Sequence, residues 1–307
     1  AAPLTMRLHS CLMPCWAPWS PLYYFSQWHD PDEAGSRKRA GLERYRRWVH
    51  NRSAERVTYM KHLKRRLLSQ QVKPFVAWRA MRRLLRDPDD TTQVFNIIEA
   101  LKGGSLGAAV RRLRMTDSGR ALLSTKPDIV TRLNDREWLL SLPDGSLGRA
   151  YYDFVHGENL SADGLIASSE TATRAEIYRG LSEDEIWLAD RLRDIHDLQH
   201  VMTGYGRDPV GELSLLSFMT TQTPNRGINF IVWIASKKYR RDVPQFDIRA
   251  MVREGATIAR EAHWMAAIAW ETKLAEPLEA VRAELGFRPP MVYQRLRAQA
   301  PHLLAAA

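Results

Sequence analysis

The sequence predicts an all-α fold, a multi-helix bundle carrying a metal-binding helical hairpin, and three observations predict it. From Pro74 onward, apolar residues recur at the three- and four-residue spacing of buried helix faces. Helix-starting and helix-stopping residues punctuate that pattern. The two-residue alternation of a half-buried strand is nowhere sustained, and no repeat or low-complexity tract occurs. A bundle is the simplest architecture that buries such stripes.

The elements follow in order. Phe75, Val76, Met81 and Leu84 mark a first apolar stripe, and Val94, Ile97, Ile98 and Leu101 a second that Gly103-Gly104 ends. Leu106 to Arg114 starts another helix, and Asp117-Ser118-Gly119 reads as the turn after it. Ser182 with Glu185 forms the pattern of a capping box, so residues 183 to 202 read as one continuous helix broken by Gly204 and Gly206. Asp208-Pro209 restarts the chain as N-cap and first helical residue. Leu213 to Met219 and Ile228 to Tyr239 come next. The segment from Ile248 to Leu274, with Ala256, Ala259, Ala262, Ala266, Ala267 and Ala269, reads as one long helix with a close-packing face.

The chemistry is concentrated in His196-Asp197-Leu198-Gln199-His200 and in Glu212 beyond it. Imidazoles at i and i+4 project from one helix face, as a metal clamp requires. His200 falls about one turn before its helix ends, and Glu212 about one turn after the next begins. An antiparallel hairpin sets the two level, giving four ligands: His196, Asp197, His200 and Glu212. This mixed nitrogen and oxygen set suits zinc, iron(II) or manganese better than calcium and does not choose among the three; zinc is the first expectation. If all four bind tetrahedrally the site is closed, and catalysis needs one ligand to leave. Asp197 is the one expected to detach, because it starts about 100° round the helix from His196. Asp197 and Glu212 are therefore the candidate catalytic residues. Arg193 and Asp194 are candidates to orient the ligands. Tyr205 and Arg207 in the connecting loop are candidates to meet a substrate phenol or carboxylate, or simply to pin the loop. Phe218, Met219, Phe230, Val232 and Trp233 are candidates for the wall of an apolar channel, although stripes of this kind are more often plain core.

Arg191-Leu192-Arg193-Asp194-Ile195-His196-Asp197-Leu198-Gln199-His200, then Gly211-Glu212, resembles the His-Asp-x-x-His-x11-Glu signature of the coenzyme Q biosynthesis protein 4 family, with no gap in the spacing. Leu142-Pro143-Asp144-Gly145-Ser146-Leu147-Gly148 with Tyr151 resembles that family's "LPxGTLGxxY" turn, with Ser for Thr. Trp270-Glu271, Pro277-Leu278 and Leu285-Gly286 are similar to its C-terminal helices. The resemblance covers roughly residues 80 to 290. It implies an all-helical protein of the ubiquinone pathway that binds a polyprenylated benzoquinone precursor, with oxidative decarboxylation and hydroxylation at ring carbon 1. It further implies an organising role among other ubiquinone-biosynthesis enzymes, homo-oligomerisation, and peripheral placement on the cytoplasmic face of a bacterial inner membrane or the matrix face of a mitochondrial one.

Composition sets the outer bounds. With 307 residues, 45 % hydrophobic and 26 % charged, the chain can bury a sizeable core. Two cysteines, Cys11 and Cys15, exclude a disulfide framework and fit a reducing compartment. No stretch of eighteen apolar residues exists, and Pro14, Pro18 and Pro21 interrupt any signal helix, so membrane contact is expected to be peripheral. The net charge of +10 is uneven: Ser36 to Arg86 holds seventeen Lys and Arg against Glu43 and Glu55, leaving the remainder net negative. Trp16, Trp19, Tyr23, Tyr24, Phe25 and Trp28 crowd the region upstream. Residues 1–75 thus read as a basic, aromatic-rich extension and 76–307 as the helical core domain. The extension suits an anionic membrane surface or an idle solvated face. Nucleic acid is not expected, since no binding motif accompanies the charge. Two other classes stay open: a non-catalytic lipid-binding scaffold, and a metal-dependent hydrolase that would need His156 with Asp242 or Asp247.

Overall fold

Fourteen α-helices and two short 3₁₀ turns make up the regular structure of a computed structural model that describes residues 72–299, except 88–89, 158–177 and 179, and positions 43 and 50. They are α1 (Pro74–Leu84), α2 (Thr91–Leu101), α3 (Ser105–Leu113), α4 (Asp117–Thr125), α5 (Ile129–Leu133), α6 (Arg136–Ser141) and α7 (Leu147–His156). After the undescribed stretch come α8 (Glu183–Asp194), α9 (His196–Thr203), α10 (Pro209–Gln222), α11 (Arg226–Asp242), α12 (Ile248–Glu261), α13 (Leu278–Glu284) and α14 (Met291–Gln299). The described residues contain no strand, only an isolated bridge between Ser146 and Pro277. The fourteen helices all lie within the unit Lys61–Ala307. Cys11, Cys15, the upstream aromatic cluster and most of the basic segment lie outside the described residues.

The core is built around α9 and α10. Every residue of α9 from Asp197 to Thr203 is buried, and α10 is buried on nearly all sides, as a helix without a continuous polar face must be. Leu198, Leu215, Phe218 and Ile258 are fully enclosed, each contributing roughly 1.5–3 kcal/mol. α10 packs closely on α12, where a Cβ on Gly255 would stand 2.4 Å from the Ser214 carbonyl oxygen. α9 packs on α7, and α1 and α2 pack on each other, with α11 against α2.

The two motifs flanking the His-Asp signature meet the rest of the core through buried polar contacts. Ser146 N-caps α7, and the amides of Leu147 and Gly148 donate to the carbonyls of Glu276 (2.8 Å) and Leu274 (2.7 Å). Arg191, fully enclosed, donates to Glu271 at 2.7 and 3.0 Å and to the Ile268 carbonyl at 2.9 Å.

Four expectations need correction. Residues 183 to 202 are not one helix: Ile195, at φ −88° and ψ 9°, separates α8 from α9. The alanine-rich stretch after residue 248 stops at Ala262, whose ψ is 153°. There the His263 amide donates to the Leu285 carbonyl (2.8 Å), and the Gln222 side chain takes both the His263 carbonyl and the Met265 amide. These tertiary bonds override helix propensity. Asp117-Ser118-Gly119 is the first turn of α4, with Thr116 accepting from the Gly119 amide. Finally, α1 buries Ala77, Ala80 and Met81, leaving Phe75 71 % and Trp78 48 % exposed.

Candidate metal centre

The hairpin is assembled by local caps. In the capping box, Ser182 Oγ accepts from the Glu185 amide while Glu185 accepts from the Ser182 amide. At the other end Gly204 adopts φ 76°, and its amide closes α9 on the His200 carbonyl (2.8 Å). Asp208 then accepts from the Val210 (3.2 Å) and Gly211 (2.9 Å) amides, with Pro209 opening α10. The loop between is pinned from α14: the Tyr293 hydroxyl accepts from the Gly206 amide (2.9 Å) and donates to Asp208. A Cβ on Gly211 would fall 2.1 Å from the Gly206 carbonyl oxygen, so the hairpin can close this tightly only with glycine there.

His200 sits at the centre and is only 1 % exposed. Its Nδ1 lies 3.1 Å from the Tyr205 carbonyl, which can only accept, so Nδ1 carries the proton and Nε2 is left to face Glu212 Oε1 at 3.0 Å. His196 contacts Asp197 through Nδ1 (3.4 Å) and approaches Glu212 through Nε2 (3.9 Å). Arg207 Nη2 meets Asp197 Oδ2 at 3.1 Å. Phe154 of α7 closes one side, stacked on His200 at 5.2 Å and beneath the Arg207 guanidinium at 4.7 Å.

These neighbours control the charges. Burial pushes the Asp197 carboxyl upward, but the hydrogen bond from His196 and the cationic groups around it outweigh burial and hold it below the ordinary range. Burial acts on Glu212 in the same direction, and His200 and His196 reverse it. Burial would lower His196, yet Asp197 and Glu212 raise it above the usual imidazole value.

The donor set fits a divalent cation. His196, Asp197 and His200 each offer an atom within 4.8 Å of the others, the one such group of three among the described residues. A cation about 2.1 Å from each of two neighbouring ligands holds them about 3.0–3.4 Å apart. The His200 Nε2–Glu212 and His196 Nδ1–Asp197 separations already fall there; His196 approaches Glu212 through its other nitrogen, Nε2, at 3.9 Å, so this imidazole must turn to bring one nitrogen to a shared cation. Nδ1–H donation to a carbonyl is also how a ligating imidazole is ordinarily oriented.

The hairpin brings together His196, Asp197, His200, Glu212 and Arg207, but not the other candidates. Arg193 is engaged by Asp194 (2.8 Å) and Asp190 (3.2 Å), and Asp194 by Arg193, so this pair is satisfied beside the hairpin and not against the ligands. Tyr205 contributes its carbonyl; its side chain is 1 % exposed, packed edge-on against Tyr293, and burial raises its hydroxyl pKa far above normal. Phe218 and Met219 pack in the central core, Phe230 packs against the α1–α2 cluster, and Val232 lies in a third cluster. Trp233 is 53 % exposed under Lys237. These residues do not line one channel. The residues conscripted for a hydrolase are engaged locally: His156 on the Tyr152 carbonyl, Asp242 on Lys238, and Asp247 as the cap of α12. Phe154 was missed; its only sequence signal is its place one turn beyond the Leu142–Tyr151 motif.

Residues 59–291 match the family model described as coenzyme Q (ubiquinone) biosynthesis protein Coq4. A mitochondrial ubiquinone biosynthesis protein COQ4 homologue of Rattus norvegicus is 27 % identical over 179 residues, covering 58 % of this chain and 64 % of that protein. The Talaromyces stipitatus ubiquinone biosynthesis protein coq4, also mitochondrial, is 27 % identical over 183 residues, 59 % of each. The chain thus spans about three fifths of the length of these relatives. A crystal structure from Nostoc punctiforme PCC 73102, of a protein provisionally assigned to ubiquinone biosynthesis, superposes with TM-score 0.51 at 20 % identity. It covers 70 % of this chain and 99 % of the Nostoc chain, and shows that the fold is shared. With the signature residues gathered on one hairpin and the family match running through most of the sequence, the chain belongs to the Coq4 family of coenzyme Q (ubiquinone) biosynthesis proteins.

Proposed function

We propose that this chain acts in ubiquinone biosynthesis on the head group of a polyprenylated benzoquinone precursor, with a divalent cation, zinc foremost, held by His196, Asp197, His200 and Glu212. The reaction is oxidative decarboxylation and hydroxylation at ring carbon 1: the ring–carboxylate bond breaks, carbon dioxide leaves, and a ring–oxygen bond forms at the expense of an external oxidant. The observation that carries this reading is His200, buried and oriented by the Tyr205 carbonyl so that Nε2 meets Glu212 at 3.0 Å. When bound, such a cation polarises a substrate oxygen as a Lewis acid. Glu212, about one third exposed, is the ligand most open to substrate and the one placed to hold or release a proton. Arg207, paired with Asp197, is placed to exchange that partner for a substrate carboxylate.

A scaffold role has its own support in α1. Its exposed Phe75 and Trp78 stand beside Arg79, Arg82 and Arg83, with no acidic residue in the helix, the pattern of a segment seated on an anionic membrane surface. Peripheral placement on a membrane alongside other ubiquinone-biosynthesis enzymes, on the cytoplasmic face of a bacterial inner membrane or the matrix face of a mitochondrial one, follows from this reading; the mitochondrial description of two relatives supports the organelle in eukaryotes.

The test is a quinone profile of source cells whose only copy carries His200→Ala, with protein level checked. Loss of ubiquinone with accumulation of a carboxylated prenyl-phenol is expected; an unchanged profile refutes the assignment. Glu212→Gln separates the roles: an enzyme loses turnover while staying folded, whereas a scaffold keeps supporting the pathway.

A further inference from the structure

Away from the hairpin, a cleft of about 610 Å³ opens between the start of α3, the α10–α11 connection and Trp264. Its size is that of a small-molecule site. Lys102, Arg112 and Arg226 line it, and among the described residues no carboxylate does. Lys102 is paired with Glu99 at 2.7 Å. Arg112 is held differently: Nη1 donates to the Gln222 carbonyl (2.7 Å), and the guanidinium lies 4.0 Å over the Trp264 ring. Among the described residues its partners are neutral. Arg226, at the first position of α11, meets no carboxylate among the described residues.

Hydrogen bonds tie the walls together. Trp264 Nε1 donates to Thr223 Oγ1 (2.8 Å), and Gln222 is bonded to the His263 carbonyl and the Met265 amide. The N-terminus of α3 faces the same space with Gly104 as its N-cap, so no side chain caps it. A guanidinium held over an indole, a second arginine lining the same cleft, and a helix start without a side-chain cap suit an oxyanion such as phosphate better than a cationic or apolar ligand.

We infer that this cleft binds a phosphate-bearing ligand through Arg112, Arg226 and the first turn of α3. It shares no residue with the four candidate metal ligands, and the inference does not depend on the reaction proposed for them.

The experiment is calorimetric titration of the full chain, stripped of metal and kept in chelator, with inorganic diphosphate. Saturable binding is expected, and Arg226→Glu should weaken it about tenfold or more, as should Arg112→Gln. Arg226 is exposed, so its replacement leaves the fold intact, which circular dichroism checks. Lys237→Glu makes the same charge change on the outer face of α11 and should leave binding unaltered. Absence of binding overturns the inference. So does equal weakening by Lys237→Glu, because the effect is then net charge alone. Phosphatidylcholine vesicles with and without phosphatidic acid identify the source. Displacement of diphosphate only by the acidic vesicles assigns a lipid headgroup, and no displacement assigns a soluble phosphoester; both uphold the cleft.

Discussion

The hairpin around His200 and the cleft around Arg112 both gather charge, but they balance it in opposite ways. In the hairpin two imidazoles, two carboxylates and Arg207 answer one another at 3.0–3.9 Å, so the groups are positioned before any cation arrives. In the cleft Arg112 and Arg226 face a space that no acid lines among the described residues, and Arg112 rests on a carbonyl and an indole. A cation entering the hairpin displaces protons from an organised set. An anion entering the cleft supplies charge that the fold leaves out. The difference also separates close packing from openness: the hairpin depends on backbone contacts too tight for a side chain, whereas the cleft keeps its volume.

That contrast predicts where damage is greatest. Gly211→Ala forces a Cβ onto the Gly206 carbonyl, so it should cost about 3 kcal/mol and displace the loop carrying the Tyr205 carbonyl. Denaturant unfolding should show the loss, and zinc affinity should fall with it. Wild-type stability in this variant would mean that the hairpin is looser than described.

A smaller effect concerns charge alone. In metal-free protein, Asp197→Asn removes the hydrogen bond and much of the negative charge that hold His196 above the usual imidazole value, while burial still acts to lower it. The His196 titration followed by NMR should therefore move to lower pH; no movement would show that Asp197 does not set the balance.

The smallest effect sits outside both regions and supplies their solvent-screened reference. Asp184 is held below the ordinary carboxylate range by its hydrogen bond from Arg114 (2.7 Å) and then by Lys126 (3.1 Å). A depressed pKa gives stability that is present above the unfolded-state value, about 3.9, and lost as pH falls through the folded one. Melting temperature should decline over that acid window slightly less steeply in Asp184→Asn than in wild type.

Much of the hairpin was legible because its determinants are local. Ser182 with Glu185, Gly204 and Asp208-Pro209 each set a helix end through bonds spanning a few residues, and the order of ends places His200 against Glu212. The break at Ile195 was not legible, since nothing in an unbroken run of helix formers marks it. Nor was Phe154 against His200, or the end of α12 at Ala262, which the Leu285 carbonyl and Gln222 side chain impose from elsewhere in the chain. In α1 the apolar stripe holds at Met81 and Leu84 but not at Phe75 and Val76, which outrank Ala77 and Ala80 in hydrophobicity, although the small residues are what let α1 lie close on α2. The cleft was invisible for a related reason: Arg112, Arg226 and Trp264 are brought together only by tertiary packing.

The most direct test of the central claim is the metal content of the purified chain, by elemental mass spectrometry, beside His200→Ala of verified fold. About one equivalent of a divalent metal in wild type and almost none in the variant is the predicted result. A wild-type chain that stays metal-free after zinc loading, or a variant that retains the full equivalent, would contradict the assignment of this hairpin as a metal centre.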